Sequence, residues 1–241
     1  MGLKITVISK MKEQGDAKLS STPRDMASII YEDIKDRILD LSLEPGSPIS
    51  ESEICDRYEA SRTPVRTALH RLADKNLIDL LPYQQSRVSL IDLEAVREFI
   101  YARVAIESSV IRDFIDLDQP LLIEDVNHLI RKQEIILNDS DFKPQDFYYL
   151  DVAMHEVWFR AVNKLAIWKM FNVSTDYIRV RILDIKEEKD YQAILADHKE
   201  LVDVIRNKQI DSVYPIIDRH LNGGLYRIEA RMDDKIRKYF K

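Results

Sequence analysis

The chain has few of the residues that many common functional sites require. Cys55 is the only cysteine among 241 residues, so no disulfide can form within the chain, and this fits a reducing cytoplasm. The five glycines form no phosphate-binding loop. No apolar run approaches the ~18 residues of a membrane span, and lysines interrupt the apolar N-terminus, unlike in a signal peptide. We therefore expect a cytoplasmic protein without membrane contact.

The total charge gives no sign of nucleic-acid binding. The formal net charge is -6 at pH 7, whereas surfaces that bind nucleic acid are basic. The cations are concentrated locally, however, because the segment 61–75 carries four Lys or Arg residues against one aspartate. Local charge, rather than the total, therefore decides whether this chain can bind DNA.

The segment 49–77 predicts two short helices joined by a tight turn. Ser50 and Glu53 have the spacing of a capping box at the start of the first helix. Ser61 is placed to cap the second helix, whose first turn tolerates Pro64 because the amide there needs no partner within the helix. Apolar residues share one face of the second helix, and the opposite face offers groups suited to the major groove, namely Arg62, Thr63 and Arg66.

This second helix, S-R-T-P-V-R-T-A-L-H-R-L, resembles the recognition helix of the GntR family of bacterial transcription regulators. The resemblance implies double-stranded operator DNA as a partner and assigns its contacts to Ser61, Arg62, Thr63 and Arg66. The family often has glycine where this chain has Glu59, so we expect Glu59 to occupy a left-handed turn position at some energetic cost. The alternative is an ordinary surface helix with solvated arginines.

Two β-prone runs, 77–81 and 86–90, follow the helix pair and predict a hairpin. Together with a helix that begins at Pro23, they predict a winged helix-turn-helix domain over residues 23–91. Gln85 and Arg87 could reach the minor groove or a phosphate, although a plain edge hairpin explains them nearly as well. Residues 1–22 are interpreted as an N-terminal extension, with a short strand through Ile5–Ile8 as an option.

Everything beyond the hinge 91–93 has helical periodicity, and Asp92 is placed to cap the first helix of this half. The fold class that we predict is mainly α, with the winged head followed by an all-α bundle over residues 92–241. The predicted helices of this bundle lie near 93–115, 121–138, 145–163, 166–186, 188–207 and 210–236.

Three of the five histidines lie in the apolar stripes of three different predicted helices. His155 follows Asp151 at i+4, so both side chains project from the same face. His198 and His220 are likewise flanked by aliphatic residues. If the helices converge, these groups form a site suited to zinc, nickel or manganese. Spacing alone leaves open whether they are instead core histidines with satisfied hydrogen bonds, because the sequence does not show that the helices meet.

The C-terminal half resembles the FCD ligand-binding domain of the FadR-like GntR branch. D-V-A-M-H, D-H-K-E-L-V-D-V-I and D-R-H-L resemble its metal-binding elements. The resemblance therefore implies a divalent metal ion, with zinc favoured over nickel or manganese, bound by Asp151, His155, His198 and His220.

The resemblance also implies an effector site. Y-A-R-V-A-I-E resembles an R-x-x-x-E element whose arginine binds a ligand carboxylate, so Arg103 is expected to bind a small carboxylate effector. Asn163 resembles an asparagine of the same pocket. The alternative for Arg103 is an i,i+4 ion pair with Glu107 on a solvated face, which is worth only ~0.3–0.5 kcal/mol.

Three classes of function can be compared with the residues of this chain. The resemblance implies a ligand-responsive regulator that binds a palindromic operator as a homodimer, more commonly as a repressor than as an activator. A metal-dependent hydrolase or lyase lacks a general base and a nucleophile motif here and leaves the head unexplained. A helical interaction module with a vestigial head conflicts with the intact S-R-T-P-V-R. Turnover of generic esters would favour the enzyme, whereas operator binding would favour the regulator. Because the chain lacks a general base and a nucleophile motif, we expect a protein that is not an enzyme.

Overall fold

The computed structural model describes residues 23–81, 84–171, 174–184 and 188–241, so the N-terminal extension and the optional strand at Ile5–Ile8 lie outside the described residues. The fold is mainly helical, as predicted. The described helices are α1 Pro23–Leu39, α2 Glu51–Arg57, α3 Arg62–Ala73, α4 Leu93–Asp116, α5 Pro120–Leu137, α6 Pro144–Ala161, α7 Leu165–Phe171, α8 Thr175–Asp184, α9 Glu188–Arg206, α10 Val213–Ala230 and α11 Asp234–Arg237. The described strands are β1 Pro48–Ile49, β2 Ile78–Asp79 and β3 Ser86–Val88.

The head consists of α1, α2, α3 and the three strands around its own apolar core. Ser50 caps α2 as predicted, since its Oγ accepts a hydrogen bond from the Glu53 amide at 3.3 Å. Glu59 has φ 48°, so a residue with a Cβ does occupy the left-handed turn before α3. The capping prediction for Ser61 was wrong in one respect. Ser61 holds the N-cap position, but its side chain makes no capping hydrogen bond.

The wing is a three-stranded antiparallel sheet with the order β1-β3-β2. The hairpin of β2 and β3 was predicted, although Pro82 and Tyr83 of its connection lie outside the described residues. Strand β1 was not predicted. It is only two residues long and begins with Pro48, so no alternating pattern could reveal it; Pro48 pairs with Arg87 and Ile49 with Ser86.

The C-terminal bundle packs α4 to α11 around a second apolar core. Four of its six predicted helices agree with the structure to within two residues at each end. The predicted helix 166–186 is wrong, because two helices, α7 and α8, cover that range; Ser174 Oγ accepts from the Tyr177 amide at 3.3 Å and starts a new helix. The predicted helix 210–236 is also divided, since Ile210–Ser212 is a 3-10 turn and Asp233 caps a separate helix α11.

The C-terminus holds the linker between head and bundle. Ile91 pairs in parallel with Phe240, the Ile91 amide donates to the Tyr239 carbonyl at 2.8 Å, and Lys241 donates to the Ile91 carbonyl at 3.0 Å. Asp92 caps α4 as predicted, with its side chain accepting from the Ala95 amide at 3.0 Å. The entry into α4 is therefore fixed by the chain's own last residues.

Helix α8 holds the same linker from its other side. Arg179 is fully buried, donates to the Ser89 carbonyl at 2.6 Å and also bonds to Asp176. Asp176 in turn accepts a hydrogen bond from the Asp92 amide at 3.0 Å. These bonds make α8 a direct connection between the bundle and the last strand of the head.

We expect Arg179→Met to lower the free energy of unfolding by about 3–5 kcal/mol, because it leaves Asp176 and the Ser89 carbonyl without their buried partner. Urea denaturation followed by circular dichroism measures the loss. Arg97→Met is the matched control, since Arg97 is 44% exposed and pairs with Glu94 and Glu229 at 2.9 and 2.6 Å. Such an exposed pair contributes only about 0–1 kcal/mol, so equal losses in the two variants would contradict the role given to Arg179.

Candidate metal centre and DNA-reading surface

Helix α3 is amphipathic and turns its cationic face to solvent. Its apolar side, including Val65, Leu69 and Leu72, is buried against the head. The other side exposes the residues predicted from the sequence, with the Arg62 and Arg66 side chains 76% and 59% accessible and with Ser61 and Thr63 also exposed. The structure therefore brings these four residues together at the N-terminal end of one exposed helix.

Of the predicted wing residues, Gln85 lies across a cleft from this helix, whereas Arg87 does not line it. Gln85 and Arg87 are both exposed, Arg87 on the central strand β3 and Gln85 just before it. An open cleft of about 620 Å³ separates α3 from the wing and is lined by Arg66, His70 and Gln85, among others. In this arrangement Glu51 accepts from Arg66 Nε at 3.0 and 3.1 Å.

In the bundle, the predicted metal ligands come together. Asp151 and His155 lie on α6, His198 on α9 and His220 on α10, and all four are buried. One potential ligand atom from each lies within 4.8 Å of every other. Asp151 Oδ1 lies 3.0 Å from His198 Nε2, 3.8 Å from His220 Nε2 and 4.0 Å from His155 Nε2, and the Nε2 atoms of His155 and His220 are 3.1 Å apart.

These spacings match a metal centre. Zinc bonds of about 2.0–2.1 Å in tetrahedral geometry separate neighbouring ligand atoms by about 3.3 Å, which lies inside the observed range. Asp151 Oδ1 and His198 Nε2 make no hydrogen bond of acceptable geometry despite their proximity, and both are buried. Buried polar atoms without partners are uncommon, and a shared cation is one way to satisfy them. The four residues therefore fit one divalent ion and could hold it with three nitrogens and one oxygen.

Two of the histidines are oriented by buried groups behind them. Glu107 Oε2 lies 2.6 Å from Nδ1 of His155, and Gln133 Oε1 lies 2.8 Å from Nδ1 of His198. Both oxygens accept, so each ring carries its proton on Nδ1 and directs the Nε2 lone pair toward the cluster. Asp197 Oδ2 lies 3.7 Å from Nδ1 of His220, on the outer side of that ring but beyond hydrogen-bond distance.

The ionisation of the cluster also suits a metal. Burial lowers the pKa of His220 to about 3 and also lowers the pKa of His198, so both rings are neutral at pH 7. Burial would raise the pKa of Asp151, but the adjacent His198 ring and the charge of Arg181 outweigh it and hold the pKa well below its usual range, so the carboxyl stays ionised. Metal ligands must be deprotonated, and these groups already are.

Arg103 is buried next to the cluster rather than on a solvated face. Its Nε donates to Glu107 Oε1 at 2.5 Å, and its guanidinium lies over the rings of Trp168 and Tyr177. Burial alone would raise the pKa of Glu107, but Arg103 and His155 lower it to about 2. Arg103, Glu107 and His155 therefore form one buried chain that ends at the cluster, and effector binding by Arg103 stays a prediction.

Asn163 is not brought to the cluster. It follows the end of α6, is exposed and has φ 57°, a left-handed conformation that asparagine adopts more readily than most residues. The sequence reasoning also missed Arg181, whose side chain lies 3.7 Å from Asp151 and is 2% exposed. It missed Gln133 as well, although a glutamine in the stripe of Val126 and Ile130 was a usable signal for a buried polar partner.

A winged helix-turn-helix head joined to a helical bundle with a buried cluster of potential metal ligands is the architecture of a DNA-binding transcriptional regulator. Two family models match the chain: bacterial regulatory proteins of the gntR family over residues 26–88, and the FCD domain over residues 98–223. The chain belongs to the GntR family, in the branch that carries an FCD domain. The resemblance stated from the sequence is thereby confirmed.

Relatives match this chain over most of their own length. The HTH-type transcriptional repressor RspR of Escherichia coli K12 is 26% identical over 193 residues, which cover 80% of this chain and 84% of that protein. The gluconate operon transcriptional repressor of Bacillus subtilis 168 is 26% identical over 200 residues, 80% of each chain. The family and these relatives are regulators, which confirms the prediction that the chain is not an enzyme.

Solved structures agree on the fold. E. coli McbR/YncC superimposes with a TM-score of 0.65 at 14% identity, and a GntR regulator from Rhodococcus sp. RHA1 with 0.66 at 16%. Each match covers 86% of this chain and 99% of the other. Within the described ranges, no helix combines the length and the apolar composition needed to cross a membrane.

We expect metal-free protein to gain about 2.7 kcal/mol of stability when zinc is added at a hundred times its dissociation constant, because the ion binds only the folded cluster. Thermal unfolding with and without zinc measures this gain. His220→Gln should abolish it. His128→Gln is the control, because His128 is exposed on α5 and should retain the full shift. A parent protein that takes up no zinc, nickel or manganese would contradict the metal site.

Proposed function

We propose that this protein is a ligand-responsive repressor that binds a palindromic operator as a homodimer and senses a small organic acid. In this proposal residues 23–91 read DNA, residues 92–241 form the sensing domain that holds one divalent metal ion, and residues 1–22 are an extension. The observation that carries the proposal is the buried metal-ligand cluster with two arginines beside it, in a chain whose reading helix is intact and exposed.

The reading surface supports direct contact with bases. Arg62 and Arg66 present guanidinium groups from the first two turns of α3, where a recognition helix enters the major groove. The free hydroxyl of Ser61 and the side chain of Thr63 can reach a phosphate, Gln85 extends the surface across the cleft, and Arg87 adds an exposed cation on the wing. DNA binding must break the exposed pair of Arg66 with Glu51, which costs only about 0–1 kcal/mol.

The two-fold symmetry of a palindromic operator and one exposed face of the bundle both support a homodimer. One head covers one half-site, so a two-fold protein matches a palindromic operator. Helices α4 and α10 pack together and expose Tyr101, Tyr214 and Tyr226, which line an open cavity of about 450 Å³. Exposed aromatic side chains are typical of protein interfaces, and we assign this face to the second copy of the chain.

The sensing proposal rests on positive charge buried in the bundle. Arg103 and Arg181 both lie at the cluster, and a divalent ion there would add further positive charge. A carboxylate is the anion that best fits both a metal and a guanidinium. The name of the relative from B. subtilis concerns a gluconate operon, so gluconate belongs in the first set of acids to be tried.

We expect Arg66→Ala to weaken operator binding at least tenfold, since a bidentate arginine–guanine contact contributes about 1–3 kcal/mol of discrimination. Fluorescence anisotropy with operator fragments selected from genomic DNA measures this loss. Lys75→Ala removes the same charge beyond the far end of α3 and is the control for general electrostatic attraction. Equal affinities of the parent and Arg66→Ala would show that α3 is not the reading helix.

We expect one small organic acid to change operator affinity by about 5- to 150-fold, which corresponds to a coupling free energy of about 1–3 kcal/mol. By linkage, the operator must change the affinity for that acid by the same factor. Calorimetric titration of the acid with and without operator measures both sides of the cycle. Identical affinities for every acid tested would mean that the bundle does not sense an acid.

A further inference from the structure

Glu51 is a carboxylate that lies inside the surface assigned to DNA. It is the first residue of α2, directly after the N-cap residue Ser50, and its side chain reaches α3. Its two oxygens accept from Arg66 Nε at 3.1 and 3.0 Å, and its Oε1 lies 3.9 Å from Arg62 Nε. One carboxylate is therefore close to both of the arginines that are expected to contact bases.

The same carboxylate lines the cleft between α3 and the wing. Its side chain is 31% exposed, against 59% for Arg66, so it is more enclosed than the arginine that it binds. His70 of α3 and Gln85 of the wing line the same cleft. Because a recognition helix lies in the major groove, base edges that reach Arg66 also come close to Glu51.

The neighbouring Glu53 has the same charge in the same turn but different surroundings. It is exposed, and its amide donates to Ser50 Oγ at 3.3 Å. Either glutamate can supply the negative charge that favours a helix N-terminus. An ion pair as exposed as that of Glu51 and Arg66 adds little to stability, and a carboxylate in this surface opposes general attraction to phosphates. These effects do not explain why Glu51 faces the reading arginines, which leaves recognition of particular bases.

DNA binding transfers Arg66 from Glu51 to a base, and the carboxylate then needs another donor. An ionised carboxylate has only acceptors, so phosphates and the acceptor atoms of the bases repel it. The major groove offers the amino groups of adenine and cytosine, and only that of cytosine has no acceptor beside it on the same base. We propose that Glu51 is a specificity-determining residue that accepts from the amino group of a cytosine beside the base that Arg66 contacts. This inference rests on the proposed function, since it requires that α3 reads the operator.

The first test selects binding sequences from a duplex library with a randomised centre, using the full-length parent, Glu51→Gln and Glu53→Gln. We expect the parent and Glu53→Gln to select one motif with a cytosine in each half-site. Glu51→Gln should lose this cytosine in favour of adenine, because a glutamine amide pairs with adenine through N6 and N7. Glu53→Gln removes the same charge from the same turn and controls for repulsion. A cytosine that the parent and Glu51→Gln select equally overturns the proposal.

Affinities then separate base reading from competition for Arg66. Fluorescence anisotropy at one fixed salt concentration compares the selected duplex with one in which that C·G pair is replaced by T·A, which turns the amino donor into a carbonyl acceptor. We expect the replacement to weaken binding at least about fivefold for the parent and Glu53→Gln, and less than about twofold for Glu51→Gln. If Glu51→Gln binds both duplexes more tightly by one common factor, Glu51 only competes with DNA for Arg66, and the proposal is overturned.

Glu51→Ala covers the case in which Glu51→Gln does not fold, because alanine removes the acceptor and is a good helix former. It must bind the two duplexes within about twofold of each other, and a parental ratio overturns the proposal. Arg66→Ala separates this inference from the function on which it rests. If Arg66→Ala loses operator affinity while Glu51→Gln keeps the parental motif, the reading helix stands and this inference fails. If the parent selects no motif, both fail.

Discussion

The metal-ligand cluster of the bundle is organised around a buried negative charge, the carboxylate of Asp151. Removing an ionised carboxylate from water costs several kcal/mol, so its surroundings must supply compensation. Burial keeps His198 and His220 neutral, so Arg181 is the charged group beside Asp151, and a divalent ion would supply further positive charge when bound. The groups behind the histidines follow from the same constraint. Glu107 and Gln133 fix the ring protons on the outer nitrogens, so that the inner nitrogens face Asp151 with their lone pairs.

Helix α8 contacts the metal-ligand cluster on one side and the linker to the head on the other. Arg181 faces the cluster, and Arg179, two residues earlier and about 200° away around the helix, bonds to the Ser89 carbonyl at the end of the head. Asp176, one turn before, holds the amide at the start of α4. Since packed interiors transmit small displacements rather than absorbing them, a shift of α8 at the cluster must be felt at both linker contacts. The chain itself joins the head to the bundle through α4, and these contacts add α8 as a second connection.

The sequence allowed prediction of those features that local spacing encodes. The 3.6-residue periodicity located most of the helices, the spacing of Ser50 and Glu53 fixed the start of α2, and Asp151 with His155 at i+4 placed two potential ligands on one face. What the sequence could not show is which helices meet. The bond between Glu107 and His155 joins residues 48 positions apart, and the bond between Arg227 and Asp184 joins residues 43 positions apart. Strand β1 and the division between α7 and α8 were missed, because neither a strand of two residues nor a single capping serine gives a recognisable sequence pattern.

The hydrogen bonds between α8 and the linker have free energies similar to the coupling free energy that regulation needs. Coupling between an effector and DNA is typically about 1–3 kcal/mol, and a hydrogen bond to a charged group is worth about 1.5–3 kcal/mol. The bond from Arg179 to the Ser89 carbonyl and the bond from the Asp92 amide to Asp176 are both of this kind. A regulator whose head has two arrangements would therefore obtain the whole coupling by weakening one of these bonds in only one of them. No large rearrangement of the bundle is required, because a displacement of α8 that lengthens a single charged bond to the linker already changes the balance between the arrangements by enough.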